Sequence, residues 1–177
     1  PYLEDDAFCP LGVYGQTKAA GDAIVATAPR HYIVRTSWVI GEGRNFVRTM
    51  ASLAERGIDP KVVDDQVGRL SFTADIARGI RHLLDTAAPH GVYNLSGAGE
   101  AATWADIARR VFALTGHDPA RVTGVTTDEY FASAAGPVAP RPRNSVLDLG
   151  KIQAAGFTPA DWGADLERYL NSEAAAD

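Results

Sequence analysis

Apolar positions along the chain alternate between helical and extended rhythms. Val13 to Thr27 carries Ala19, Ala20, Ala23, Ile24 and Ala26 in a helical pattern, and Pro29 stops the run. Tyr32 to Thr36 is a β-rich stretch short enough for a buried strand. After the glycine loop Gly41-Glu42-Gly43, Asn45 stands at an N-cap position before a predicted helix, Phe46 to Arg56, which ends at Gly57. Lys61-Val62-Val63 predicts a strand. Ser71 or Thr73 is expected to cap a helix from Ala74 to Leu84, with Ile76, Ile80, Leu83 and Leu84 on one face. Gly91 to Leu95 reads as strand and runs into the loop Ser96-Gly97-Ala98-Gly99. Thr103 with Asp106 three positions on has the spacing of a capping box, which would open a helix from Trp104 to Leu114. A strand Val122 to Val125, a short helix Thr127 to Phe131, a proline-rich stretch Pro137 to Pro142 and an extended Val146-Leu147 follow. Asp148 is expected to cap a helix to Ala155, and Ala164 to Leu170 to form the last one. An Ala-rich tail, Glu173 to Asp177, is expected to fray.

Alternating helices and strands argue for an α/β fold, although the strands are too brief and the connections too varied for a complete doubly wound domain. Length and an apolar fraction of 46% allow a real core and argue against disorder. A net charge of −5, with no basic stripe interleaved with aromatics, argues against nucleic acid or an anionic membrane as partner. No apolar run approaches the roughly 20 residues that span a bilayer. The single cysteine, Cys9, excludes an intrachain disulfide and a cysteine-based zinc site. No signal peptide is visible, so a cytoplasmic location is expected. The chain has no initiator methionine, and its opening Pro-Tyr-Leu-Glu-Asp-Asp reads like the middle of a loop, as in a fragment.

Of the three lysines, one follows a tyrosine by four positions, in Tyr14-Gly15-Gln16-Thr17-Lys18. On a helix the two side chains share a face. A neighbouring ammonium favours the phenolate form of a phenol, which makes a tyrosine usable as a general acid or base. The same spacing also describes an ordinary surface pair, and composition does not choose between the two readings.

Tyr14-Gly15-Gln16-Thr17-Lys18-Ala19-Ala20-Gly21-Asp22 resembles the active-site helix of the extended short-chain dehydrogenase/reductases, and Pro1-Tyr2-x-Glu4-x-Asp6-x-x-x-Pro10 resembles the loop before it. Val34 to Gly41, Asn45 to Met50, Val62 to Gly68, Thr73 to Ala77 and Arg141 to Asp148 resemble, in order, one branch of that family, the dTDP-4-dehydrorhamnose reductases. The resemblance implies the C-terminal part of an NAD(P)-binding Rossmann fold plus a smaller α/β substrate-binding domain. Residues 1–40 would carry the last of the Rossmann part and the Tyr-x-x-x-Lys helix. Residues 41–177 would be mainly substrate domain, crossing back in part to the Rossmann sheet. It further implies NADPH-dependent reduction of the C4 keto group of dTDP-4-dehydro-6-deoxy-L-mannose to dTDP-L-rhamnose, with Tyr14 as proton donor and Lys18 as its tuner. NADH is the alternative cofactor, nothing in the sequence supports a Mg2+ site, and a homodimer is expected of the full-length protein. Two other readings stay open: a nucleotide-sugar epimerase or dehydratase of the same family, and a non-catalytic regulatory subunit of the methionine adenosyltransferase type.

The family's glycine fingerprint is absent. Gly41-x-Gly43 and Gly97-x-Gly99 each lack the third glycine, so the chain alone is expected to hold a dinucleotide poorly and to be inactive. Arg69-Leu70-Ser71-Phe72 departs from the family pattern, which has a proline where Leu70 stands. By the resemblance Tyr14, Lys18, Thr36 and Ser37 face the cofactor, and Trp38, at the end of a strand, lines the sugar site. Asn45 opens a helix whose free N–H groups suit a diphosphate, though a plain N-cap accounts for it too. Arg141 and Arg143 offer forked donors for phosphates, or are solvated arginines beside prolines. Asp64 and Asp65, neighbours on a strand, point opposite ways and read as structural. The four histidines share no metal-ligand spacing, and Trp104 and Trp162 read as local core.

Overall fold

The computed structural model describes residues 1–174 of the chain, so the expected frayed tail lies, beyond residue 174, outside the described residues. α1 (Val13–Val25) leads into β1 (Tyr32–Arg35) and the two-residue β2 (Val39–Ile40). α2 (Phe46–Glu55) is followed by β3 (Lys61–Val63), β4 (Val67–Gly68) and β5 (Ser71–Phe72). Next come α3 (Thr73–Asp85), β6 (Gly91–Asn94), β7 (Ala102–Thr103) and α4 (Trp104–Leu114). A 3₁₀ turn at Pro119–Arg121, β8 (Thr123–Val125), α5 (Thr127–Phe131), α6 (Gly150–Ala154) and α7 (Trp162–Ala174) complete the order.

The strands associate in pairs. β1 lies parallel to β6, β2 to β5 and β3 to β8, while β4 runs antiparallel to β7 with Gly68 opposite Ala102. Parallel pairing requires crossovers, and the helices between the strands supply them. The opening segment is tied down by Tyr2, whose N–H donates to Val146 O (2.8 Å) and whose carbonyl accepts from Asp148 N (2.8 Å).

Two apolar clusters hold the chain together. The larger centres on α4, whose Ala105, Ile107, Ala108, Val111 and Phe112 are all fully buried against α2, α7 and the β3–β8 pair. Thr103 and Asp106 close the expected capping box: Asp106 N donates to Thr103 Oγ1 (3.1 Å) and Thr103 N to Asp106 Oδ2 (3.2 Å). The smaller cluster joins Leu83, Tyr93, Leu95, Ile152 and Phe157 beside the β1–β6 pair.

Several local expectations are corrected. α3 starts at Thr73, and neither Ser71 nor Thr73 caps it; its N-cap is Phe72, and the Ser71 hydroxyl donates to Ser37 O (2.5 Å). Its buried residues are Asp75, Gly79 and Leu83; of the face expected, Leu83 is buried and Ile76 packs on the smaller cluster, while Ile80 and Leu84 are exposed. The cause is packing: a Cβ at Gly79 would come 2.6 Å from Leu95 Cδ2, so α3 approaches through its glycine, and Ala160 N donates to the buried Asp75 carboxylate (3.0 Å). α6 begins at Gly150 rather than at Leu149, with Asp148 Oδ1 accepting from Gly150 N (2.8 Å). α7 begins two residues before the expected start, where Asp161 Oδ1 accepts from Gly163 N (2.9 Å) and Ala164 N (3.0 Å).

α1 forms where the pattern places it but buries none of its residues; Val13 is 74% and Ile24 70% exposed. Its anchor is Arg35 on β1. The guanidinium donates from Nε to Asp22 Oδ2 on α1 (2.8 Å) and from Nη1 to Glu4 O (2.9 Å), and lies 4.6 Å from the centre of the Phe8 ring. No described helix is long and apolar enough to cross a membrane.

Candidate active site

α1 and the C-terminal end of β1 converge, which is where α/β sheets place their ligands. Tyr14 and Lys18, one turn apart on α1, open onto a common cavity of about 500 Å³ that Thr36 also lines. Tyr14 and Thr36 further line a second, larger cleft of about 850 Å³. The phenol, 78% exposed, therefore stands where the two cavities meet.

Ser37 and Trp38 continue the wall of the larger cleft. Trp38 has a left-handed backbone (φ +48°), uncommon for a bulky residue, and its carbonyl accepts from Ser71 N (3.0 Å). Its indole stacks on that of Trp104, with ring centres 3.9 Å apart and planes 20° apart, and Phe46 meets Trp104 at 4.6 Å. The cleft's other walls bring Lys61 from β3, Tyr130 and Phe131 around α5, and Arg141 from the proline-rich stretch. One wall is thus aromatic and hydroxyl-bearing, and another carries two cations beside aromatic rings.

Asp65 fastens the latter wall. Its Oδ1 accepts from Thr127 N (3.0 Å) and Thr127 Oγ1 (2.5 Å) at the start of α5, and buried Gln66 donates to the same hydroxyl (3.0 Å). The Thr127 hydroxyl, helped by Arg143 at 3.9 Å, holds the Asp65 carboxyl below its ordinary range despite opposing desolvation.

Of the residues singled out from sequence, Tyr14, Thr36, Ser37, Trp38 and Arg141 meet in the larger cleft, and Lys18 joins Tyr14 in the smaller cavity. Two are placed elsewhere. Asn45 caps α2 by accepting from Arg48 N (3.1 Å), and its Nδ2 donates to Gly41 O (2.8 Å) and Tyr169 Oη (2.8 Å), so its amide is spent inside the fold. Arg143 faces Asp65 and lines a separate cavity with Asn144 and Ser145. Trp104, expected in a local core, reaches the cleft, as do Lys61 and Tyr130, which the sequence reading passed over. The capping box fixed where α4 begins, but nothing in a linear pattern shows which cavity its first residue meets.

The profile of the RmlD substrate binding domain matches residues 1–175. The chain belongs to the RmlD substrate binding domain family. Members and relatives share this length of chain closely. The spore coat polysaccharide biosynthesis protein SpsK of Bacillus subtilis (strain 168) is 37% identical over 178 residues, covering 99% of this chain and 60% of SpsK. A dTDP-4-dehydrorhamnose reductase of Streptomyces griseus is 42% identical over 174 residues, covering 94% of this chain and 55% of that enzyme. Among solved structures, the Bacillus anthracis str. Ames dTDP-4-dehydrorhamnose reductase in complex with NADP matches with a TM-score of 0.86 at 32% identity, over 97% of this chain and 59% of that one. The Clostridium acetobutylicum ATCC 824 ortholog gives 0.87 at 35% identity, over 97% and 59%. The RmlD-type chain thus has the mixed α/β, Rossmann-type architecture of those reductases, and spans less than two thirds of their length.

Proposed function

We propose that this chain supplies the proton-donating pair and the nucleotide-sugar cleft of an NADPH-dependent reductase that converts dTDP-4-dehydro-6-deoxy-L-mannose to dTDP-L-rhamnose. The observation that carries the reading is the position of Tyr14 at the meeting of two cavities, one shared with Lys18 and the other walled by Trp38, Lys61 and Arg141. Kinship with reductases of that name, and an NADP complex among the matched structures, support it.

The donors of the smaller cavity fit one end of a dinucleotide. The Lys18 ammonium and Thr36 hydroxyl can hold ribose hydroxyls beside Tyr14. The pyrophosphate end is not served by the Gly97–Gly99 loop. The Gly97 and Gly99 backbones are packed against Leu70 and Asp161, where a Cβ would collide, so that loop is spent on the fold rather than on phosphate. When bound, NADPH supplies the hydride that reduces C4.

The chain's own part is binding and proton transfer. Lys61 and Arg141 give the diphosphate its countercharges, and the sugar lies along Trp38 with its C4 oxygen toward the phenol. As that oxygen gains negative charge, Tyr14 passes it the hydroxyl proton, and the neighbouring Lys18 ammonium stabilises the phenolate left behind. The ketone thereby becomes a secondary alcohol, with both added hydrogens accounted for.

The chain can be joined to the remaining portion of the Bacillus anthracis reductase and assayed for NADPH oxidation with the keto sugar. Net, stoichiometric NADPH consumption is expected, whereas an epimerase or dehydratase would return the hydride. Tyr14→Phe should lower kcat by about 10²-fold or more. Unchanged turnover in that variant would overturn the mechanism.

A further inference from the structure

We infer that Trp104 is a positioning residue for the sugar end of the cleft: with Gly68 it locks the Trp38 indole as a fixed wall, so that the pair, rather than Trp38 alone, sets how well a nucleotide-linked hexose is told from the bare nucleotide. This rests on the nucleotide-sugar reading above.

Trp38 is constrained at both ends. Its backbone holds a left-handed conformation that side-chain-bearing residues adopt only where their surroundings over-determine it, and its carbonyl is tied to Ser71 N on β5. Its ring meets two neighbours. Trp104 stacks on it at 3.9 Å, and a Cβ at Gly68 would come within 2.7 Å of Cε2 and 2.8 Å of Cδ2 and Cζ2. Gly68 therefore leaves room that only a hydrogen can leave.

Those two neighbours belong to one frame. Gly68 on β4 pairs with Ala102 on β7, and β7 runs directly through Thr103 into Trp104, the first residue of α4. The capping box fixes that junction, and the fully buried residues of α4 anchor it in the larger core. Phe46 packs on Trp104 from α2 and completes the support. An indole clasped between Trp104 on one face and Gly68 against the other offers a pyranose ring its remaining edge as a boundary that cannot swing aside, and complementarity to a rigid wall discriminates where a mobile one would adapt.

The full chain is titrated by calorimetry with dTDP-glucose and, separately, with dTDP. The wild-type chain is expected to prefer dTDP-glucose. Trp104→Leu should cut that preference by about fivefold, the size of one aromatic pairing, while dTDP affinity stays within about twofold. Trp104→Phe, which keeps an aromatic face, should restore most of the preference. Gly68→Ala, which leaves the α4 core untouched, should reproduce the selective loss by pushing the indole, and keeps the test open if Trp104→Leu does not fold. Loss of the circular-dichroism couplet between paired indoles in both Trp104 variants would confirm that the stack exists in solution, and its absence from the wild type would overturn the inference. So would an unchanged preference in Trp104→Leu and Gly68→Ala, or an equal loss of both ligands. A wild-type chain that binds neither ligand overturns instead the nucleotide-sugar reading.

Discussion

Replacing Arg35 by leucine should release α1 from the body of the protein without unfolding the rest. α1 carries Tyr14 and Lys18 yet buries no residue, so its docking depends on polar contacts. Arg35 reaches α1 itself through Asp22 (2.8 Å) and holds the segment leading into it through Glu4 O (2.9 Å) and the Phe8 ring at 4.6 Å. A hydrogen bond to a charged group is worth roughly 1.5–3 kcal/mol net, and a cation over an exposed ring about 0.5–1 kcal/mol. The Arg35 and Asp22 side chains are each 23% exposed, and both regain water when α1 opens, so the clamp as a whole should contribute about 2 kcal/mol to docking. That corresponds to roughly a 30-fold change in the opening equilibrium. Hydrogen exchange with mass spectrometry reads it directly. Peptides within residues 12–26 should lose about 30-fold in protection in Arg35→Leu, while peptides from α4 keep theirs. Asp22→Asn keeps a neutral acceptor in place and should show a smaller loss. Unchanged protection of α1 would refute the clamp, and an equal loss in α4 would show that Arg35 serves global stability instead.

Phe112→Ala empties the centre of the larger core, where Phe112 is fully buried, and should cost about 3–5 kcal/mol in urea unfolding; a cost under about 1 kcal/mol would contradict the central role assigned to α4. The carboxyl of Asp65 is held below its ordinary range by Thr127, so its stabilising contribution is present above about pH 4 and is lost as the pH falls further, through the lowered folded-state value. Urea midpoints measured from pH 7 down to pH 3 should accordingly fall less steeply on the acid side in Asp65→Asn, and an identical slope in the two proteins would remove Thr127 as the cause. Expressed as this chain alone, the protein should self-associate through the exposed apolar side chains of Leu11, Val13 and Ile24 and the edges of the two-stranded β1–β6 pair, and a monodisperse monomer in the ultracentrifuge would contradict that.

The longer elements were legible because their signals are local. Thr103 and Asp106 announce the start of α4, Asn45 that of α2, and the run from Tyr32 needs no partner to read as strand. The two-residue strands β2, β4, β5 and β7 were not legible, since two residues carry no period and their pairing joins positions tens of residues apart. The expected face of α3 holds at Leu83 and in part at Ile76 but not at Ile80 and Leu84, because the close approach of Leu95 turns the glycine side inward, which apolar spacing does not show. Leu70, where the resembled family has proline, is explained by its place in the larger core, fully buried beside Phe72 and Trp162. In the candidate site, the Tyr14–Lys18 spacing is visible locally, and the family resemblance points to Thr36, Ser37 and Trp38 at the strand end. Trp104, Lys61 and Tyr130 could not be placed there from sequence, because they reach the cleft from three separate elements.

The two sides of the cleft draw their order from different physics. The wall at Trp38 is backed by Gly68 on β4 and by Trp104 at the head of α4, whose buried residues belong to the larger core. Tyr14 stands on a 13-residue helix, a length marginal by itself, which no apolar burial supports and which the Arg35 clamp secures. Exposure of that helix is also what lets the phenol face two cavities at once, since packing its face against the sheet would close one of them. Order at Tyr14 is therefore the more easily tuned quantity. Under the proposed mechanism, a contact added across the outer face of α1, over Val13 or Ile24, should steady Tyr14 and Lys18 while leaving Trp38 where it is, and should raise the rate of reduction more than the affinity for the sugar.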